Sequence, residues 1–96
     1  MKDDVRIGSV VLSTQGRDKG MYFVVTAIGK DVFYLADGGM RKLKAPKKKN
    51  VKHVSNSGVV LESIAKKLVE GKKVFDSEVK SALRQFSQQL NQQQTK

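Results

Sequence analysis

Two groups of basic side chains, set among turn-forming residues, are the part of this sequence best suited to chemistry. Arg17 and Lys19 lie between Gly16 and Gly20, and glycines allow a sharp turn because they tolerate positive φ. Seven bases and no acid follow between residues 41 and 52: Arg41, Lys42, Lys44, Lys47, Lys48, Lys49 and Lys52. An arginine can donate two hydrogen bonds to one phosphate, whereas a lysine acts as a point charge. Both groups therefore predict contacts with phosphates.

Catalytic and metal chemistry find little support in the sequence. His53 is the only histidine and there is no cysteine, so neither a histidine cluster nor a thiolate site can hold a metal. The acids are scattered among turns and helices, and none forms the convergent pair that acid–base catalysis needs. We expect no enzymatic activity, no cofactor and no metal. His53 adjoins the second basic group and is a candidate phosphate or base contact, with a solvated or structural imidazole as the alternative.

The overall charge points the same way as the two basic groups. The 96 residues include 19 Lys and Arg against nine Asp and Glu, a net charge of +10. A strong basic excess is typical of nucleic-acid binding, and the alternative is that the charges only keep the protein soluble. The N-terminus lacks the basic and then apolar pattern of a signal peptide, and no segment has the ~20 apolar residues of a membrane span. We expect a cytoplasmic protein without membrane contact.

Short strands are expected in the first part of the chain, at residues 5–12, 21–28, 32–36, 40–44 and 51–54. In the second of these, Met21, Phe23 and Val25 share one face because side chains alternate along a strand. The turns between the strands are tight, and no helical crossover is present to join parallel strands. This pattern favours a mainly β fold, a small antiparallel barrel whose closure removes exposed edges. Phe23, Phe33 and Leu35 are its predicted core.

The spacing of apolar residues changes from strand-like to helical after residue 58. Two segments show helical spacing: Leu61, Ile64, Ala65 and Leu68, and then Val79, Leu83, Phe86 and Leu90. Asp76 or Ser77 is the expected N-cap of the second helix. We therefore divide the chain into a barrel with a basic loop (1–57), a helical tail (58–90) and a disordered Gln-rich end (91–96). Packing of the tail on the barrel stays open, and we expect residues 1–57 to fold without it.

The glycine-bracketed turn belongs to a longer pattern, Gly8-Ser9-Val10-Val11, Gly16-Arg17-Asp18-Lys19-Gly20 and Val24-Val25. This pattern resembles the KOW motif of archaeal and eukaryotic large-subunit ribosomal proteins and their small bacterial relatives. The similarity continues through Ala36-Asp37-Gly38, Arg41-Lys42 and the segment from Pro46 to His53, whereas the helical tail matches only loosely. Phe23 stands where many KOW motifs have a second glycine, which suits the ribosomal branch better than the transcription-factor branch. The resemblance implies an SH3-like barrel that binds RNA or protein partners.

Charge, turns and resemblance together predict a translation-associated protein that binds structured RNA, ribosomal RNA first of all, mainly through phosphates. The candidate contacts are Arg17, Lys19, Arg41, Lys42, Lys44, Lys47, Lys48, Lys49, Lys52 and His53. The alternative is a protein-interaction module of the KOW or SH3-like type in a ribosomal or transcription complex. In that case the groove of the barrel, or the helical faces around Leu61 and Leu83, would dock a partner protein. The oligomeric state stays open.

Overall fold

A computed structural model describes residues 4–94, with side chains described for residues 4–90. It contains a five-stranded antiparallel sheet followed by two helices, which confirms the predicted β-rich class with a helical C-terminal segment. The elements are β1 (Ser9–Ser13), β2 (Tyr22–Gly29), β3 (Val32–Ala36), β4 (Lys47–Asn50), a 3₁₀ turn (Val51–His53), β5 (Val54–Val60), α1 (Glu62–Val69) and α2 (Asp76–Gln94). Neither helix, as far as residue 94, has an apolar stretch that would reach across a bilayer.

The strands lie in the order β4-β3-β2-β1-β5, and every neighbouring pair is antiparallel. The edge strands β4 and β5 do not pair with each other, so the sheet does not close into the predicted barrel; the chain passes between them through the 3₁₀ turn. Register shifts between Val25 and Ala27 and between Ser9 and Val11 supply extra twist.

One hydrophobic cluster lies on one face of the sheet. Its members come from four strands and the N-terminal segment: Val5, Val11, Phe23, Val25, Phe33, Leu35 and Val54. The predicted core residues Phe23, Phe33 and Leu35 are confirmed, with at most 3% of each exposed. Burying one such side chain contributes about 1.5–3 kcal/mol. The clustering of Phe23 and Val25 also confirms the face predicted from alternation in β2.

A second cluster lies on the opposite face, where both helices pack against β1 and β2. It contains Val10, Val24, Ile64, Val79, Leu83 and Phe86. Tyr22 joins it through an edge-to-face contact with Phe86, with ring centroids 4.9 Å apart. The helical tail therefore packs on the sheet and shares its core. Leu83 is buried between α2 and the sheet, so it is not exposed for docking a partner protein, as the alternative from sequence had considered.

Three segments differ from the sequence prediction. Residues 40–44 form turns instead of a strand, because backbone donors there bond to side chains: Arg41 N–H to Asp37 (2.8 Å) and Leu43 N–H to Asp76 (2.7 Å). The expected strand at 51–54 is the 3₁₀ turn, and β5 begins at its end and continues to Val60, beyond the boundary placed at residue 57. Strand β4 lies inside the segment predicted to be a basic loop.

The end of α1 and the start of α2 are stabilised in different ways. Helix α1 ends before Gly71, which adopts a φ of +73° as expected of a helix terminus. In α2, Asp76 is the first helical residue and bonds Leu43, while Glu78 accepts from the backbone N–H of Phe75 at 3.0 Å. The predicted cap is thus replaced by Glu78, in the manner of a capping box. Helix α2 runs to Gln94, into the segment predicted to be disordered, because glutamine continues an established helix readily. Residues 95 and 96 lie outside the described residues.

Candidate nucleic-acid interface

The acid in the middle of the basic turn, Asp18, points inward and binds lysines of β4. Its Oδ1 accepts hydrogen bonds from Ser13 Oγ (2.7 Å) and Lys49 Nζ (2.8 Å), and Lys47 Nζ lies 2.9 Å from Oδ2. Burial raises the pKa of Asp18, but the contacts with Lys49, Ser13 and Lys47 outweigh it and hold that pKa well below its ordinary range. Asp18 is therefore a charged structural group at neutral pH.

The three consecutive lysines of β4 have three different environments. Lys49, predicted as an RNA contact, is 7% exposed and also donates to the backbone carbonyl of Gln15 at 2.7 Å, so its ammonium group is bound within the fold. Lys47 is half-buried by its ion pair with Asp18. Lys48 points to the other side, is exposed and lies opposite Tyr34 in the register. The cause is the alternation of side chains in a strand, which a flexible loop would not impose.

Arg17 and Lys19 are both exposed, because Asp18 between them turns inward. The turn that carries them is held by its own backbone: Lys19 N–H donates to Gly16 (3.2 Å) and Gly20 N–H donates to Ser13 (2.8 Å). Gly16 and Gly20 have φ of +88° and +92°, in the left-handed region where a side chain would be strained. The sequence prediction of a fixed turn with projecting charges agrees with this geometry.

Arg41 is positioned by a turn that rests on helix α2. Asp37 Oδ1 accepts the backbone N–H groups of Gly39 (2.9 Å) and Arg41 (2.8 Å), and the carbonyl of Arg41 accepts from Asp37 (2.9 Å) and Gly38 (3.1 Å). Gly38 lies so close to the start of α2 that a Cβ built on it would overlap the carbonyl oxygen of Asp76. The backbone that carries the Arg41 guanidinium is therefore fixed by both a side chain and a helix.

The two basic groups meet at a cleft of about 290 Å³, which we call the arginine cleft. It is lined by Arg17, Asp18, Met21, Phe23, Met40, Arg41 and Lys47. Neither arginine forms an ion pair within residues 4–90, and both are exposed. Asp18 is the only acid among the described residues that line the cleft, and it is paired with Lys47 and Lys49. The cleft therefore presents two guanidinium groups above an apolar floor.

A second cleft of about 540 Å³, the helix cleft, adjoins the first on the side of α2. Met21 and Met40 line both clefts, and α2 contributes Lys80 and Arg84, both exposed and in no ion pair with another described side chain. Sequence reasoning missed these two bases. Their signal is a spacing of four residues on the polar side of a helix. The spacing alone does not show which surface of the protein the two bases face, because that depends on how the helix packs.

The remaining predicted contacts lie outside both clefts. Lys42 and Lys44 are exposed in the turns after Arg41, and Lys52 and His53 are exposed on the 3₁₀ turn, where the His53 carbonyl accepts from Thr14 N–H at 2.9 Å. Within residues 4–94, no group of three His, Asp or Glu side chains is arranged to hold a metal ion.

A third cleft, of about 670 Å³, is apolar and shares no lining residue with the other two. It is lined by Arg6, Ile7, Ile28, Val60, Glu62, Ala65, Lys66 and Val69. Ile28 and Val69 are 48% and 70% exposed.

Comparison with models of protein families and with curated protein sequences found no match for this chain. A functional assignment therefore depends on the chemistry of the three clefts.

Proposed function

We propose that the chain is a KOW-type, SH3-like domain that binds structured RNA, ribosomal RNA in the first place, through phosphate contacts at the arginine cleft. The observation that carries the proposal is the convergence of Arg17 and Arg41, from two basic segments far apart in sequence, on one cleft. Each guanidinium can donate two parallel hydrogen bonds to a phosphate. Phosphate contacts fix position and supply affinity with little sequence information.

The geometry of the cleft favours binding because the backbone that carries its arginines is already fixed. The turn of Arg17 is closed by backbone hydrogen bonds, and the turn of Arg41 is held by Asp37. Less ordering of the backbone is therefore needed when a ligand binds. Double-helical RNA suits such a surface, since its deep and narrow major groove hides the base edges and leaves shape and backbone for recognition.

The KOW assignment draws support from the turn of residues 16–20 and from the five-stranded antiparallel sheet that carries it. In this chain the acid of the turn, Asp18, fastens the turn to β4, and this directs the bases on either side of it outward. This structural role of Asp18 explains why a turn proposed to bind RNA contains an acid. A role in translation follows from the ribosomal branch that the motif resembles.

The test removes both arginines and measures RNA affinity. We expect Arg17→Gln with Arg41→Gln to weaken binding to a hairpin RNA at roughly 0.1 M salt by about tenfold or more, because charge-assisted hydrogen bonds are lost. The matched control is Arg6→Gln with Lys66→Gln, which removes two positive charges from the third cleft. Fluorescence anisotropy measures affinity, and circular dichroism checks that both variants are folded. Equal weakening in the two variants would contradict a localised site.

A second candidate function, docking of a ribosomal or transcription protein, is favoured by one observation. The third cleft exposes Ile28 and Val69, and apolar patches of this kind mark protein-interaction sites. An Ile28→Asp variant should then lose a bound protein from ribosomal fractions while its RNA affinity stays unchanged. If the double arginine variant binds RNA as well as the wild type, this second function becomes the leading one.

A further inference from the structure

Met40 is unusually exposed for a large apolar side chain. It is 79% exposed, the highest value among the exposed large hydrophobic residues of the described chain. It stands between the arginine cleft and the helix cleft and lines both. The preceding turn is fixed by Asp37 and by the approach of Gly38 to α2, so Met40 is held at this point by the fold. A polarizable thioether favours contact with aromatic rings.

The floor of the arginine cleft is apolar and rigid. Phe23 is 1% exposed and belongs to the first hydrophobic cluster, and Met21 packs against the same cluster. The volume of about 290 Å³ lies at the lower end of the ~300–1,000 Å³ found for small-ligand sites. Such a space suits a single flat ring with its attached sugar. A base pair stacked inside a helix cannot enter it.

The charged groups and the apolar surface of this cleft lie at different depths. The guanidinium groups of Arg17 and Arg41 are exposed, while Met21 and Phe23 lie deeper. Asp18, the acid that would repel an anion, is bound to Lys47 and Lys49. A nucleotide has the complementary division, with a negative phosphate at one end and an apolar ring face at the other. Unpaired bases can be splayed out of a helix, and a thioether favours contact with their aromatic rings.

We propose that the arginine cleft binds one unpaired nucleotide, its base against Met21 and Met40 and its phosphates on Arg17 and Arg41. The inference rests on the proposed RNA-binding function and names the RNA feature that this site selects. The preferred ligand is an RNA helix interrupted by a bulged or looped nucleotide. The helix cleft, with Lys80 and Arg84, then receives the backbone of the adjoining helix.

Three hairpin RNAs with the same stem test the preference. The first has an uninterrupted stem, the second has one bulged adenosine, and the third has an abasic residue at the bulge. We expect the full-length protein to bind the adenosine bulge up to about tenfold more tightly than either of the others, since a contact between a thioether and an aromatic ring is worth up to that order of affinity. The abasic RNA keeps the bend and the phosphates of the bulge, so it separates recognition of the base from recognition of shape.

Two variants test whether the preference for the bulged adenosine depends on the arginine cleft. Met40→Ala should abolish the preference for the adenosine bulge, because it removes the thioether that the base would contact. Ile28→Ala, an exposed apolar residue of the third cleft, is the matched control and should keep the preference. Equal binding of all three RNAs, or a preference that survives Met40→Ala, overturns the inference while RNA binding itself stands. Failure to bind any of the three overturns the proposed function as well.

Discussion

The carboxylate of Asp18 joins the basic turn to two strands, through Ser13 in β1 and through Lys47 and Lys49 in β4. Removing one partner of a buried ion pair leaves an uncompensated charge and costs several kcal/mol. A substitution of Lys49 therefore changes the stability of the fold before it changes any contact with RNA. Lys48, which is exposed on the same strand, is the position where a β4 charge can be removed to measure binding alone.

The low pKa of Asp18 makes the stability of the protein dependent on pH. Because its pKa is lower in the folded than in the unfolded chain, the unfolded state takes up protons first as the pH falls. The stability contributed by Asp18 is therefore complete above about pH 5 and is lost as the pH falls below the ordinary value of about 3.9. Asp18→Asn should lower the free energy of unfolding by roughly 3 kcal/mol at neutral pH, and this difference should shrink toward pH 2.

Denaturant unfolding of both proteins from pH 7 to pH 2 measures this difference. Asp31→Asn is the matched control, since Asp31 is exposed, forms no ion pair with another described side chain and has a φ of 61° that asparagine accepts. Its difference from the wild type should be small at every pH. A constant gap between wild type and Asp18→Asn across the range would show that the buried ion pairs do not determine the acid sensitivity.

Elements with a clear period were predicted from the sequence, and elements without one were not. Strand β3 has the predicted bounds, and the apolar spacing of both helices matches their buried faces, because burial leaves a visible pattern. Strand β4 was missed because three identical lysines conceal the alternation between inside and outside, and edge strands often carry lysine. Strand β5 was cut short because the polar residues 55–58 are typical of a linker.

The candidate site was predicted in part, for a related reason. Arg17 and Arg41 were named from their turns and charge, and the structure places both on one cleft. Met40 and the α2 bases Lys80 and Arg84 were not named, since their positions depend on how the tail packs. The burial of Lys49 depends on its pairing with Asp18, across a separation that local spacing does not report.

The helical tail is part of the core, so its removal should unfold the sheet. A chain ending at Ser57 loses the last residues of β5 and uncovers Val10 and Val24, which are fully buried in the complete protein. The helices supply four of the six buried members of the second cluster. We expect this truncated chain to lose cooperative thermal unfolding, in contrast to the expectation from sequence alone.

Single substitutions in the full chain support the interpretation of that result. Leu83→Ala should lower the free energy of unfolding by about 2–5 kcal/mol, since Leu83 is buried between α2 and the sheet. Gln85→Ala, at an exposed position of the same helix, should change it by less than about 0.5 kcal/mol. If the chain ending at Ser57 unfolds cooperatively near the temperature of the full protein, the sheet is an independent domain after all.

The described residues form layers, with the two helices on one face of the sheet and the first hydrophobic cluster on the other. The arginine cleft and the helix cleft meet at Met21 and Met40, so turn residues and a helix contribute bases to one continuous surface. The third cleft shares no residue with this surface. Net charge alone gives long-range attraction, whereas close phosphate contacts need bases at one place.

The dependence of RNA affinity on salt distinguishes these two contributions of charge. Each neutralised phosphate adds about 0.7–0.9 to the slope of log affinity against log salt, so a slope below about two in the wild type would contradict binding dominated by phosphates. Lys80→Gln with Arg84→Gln should flatten that slope by up to about 1.8, because both bases lie in the helix cleft beside the proposed site. Arg6→Gln with Lys66→Gln removes as much charge and should leave the slope unchanged, since those bases lie in the third cleft. Equal flattening in both variants would mean that the overall charge attracts RNA to no particular face.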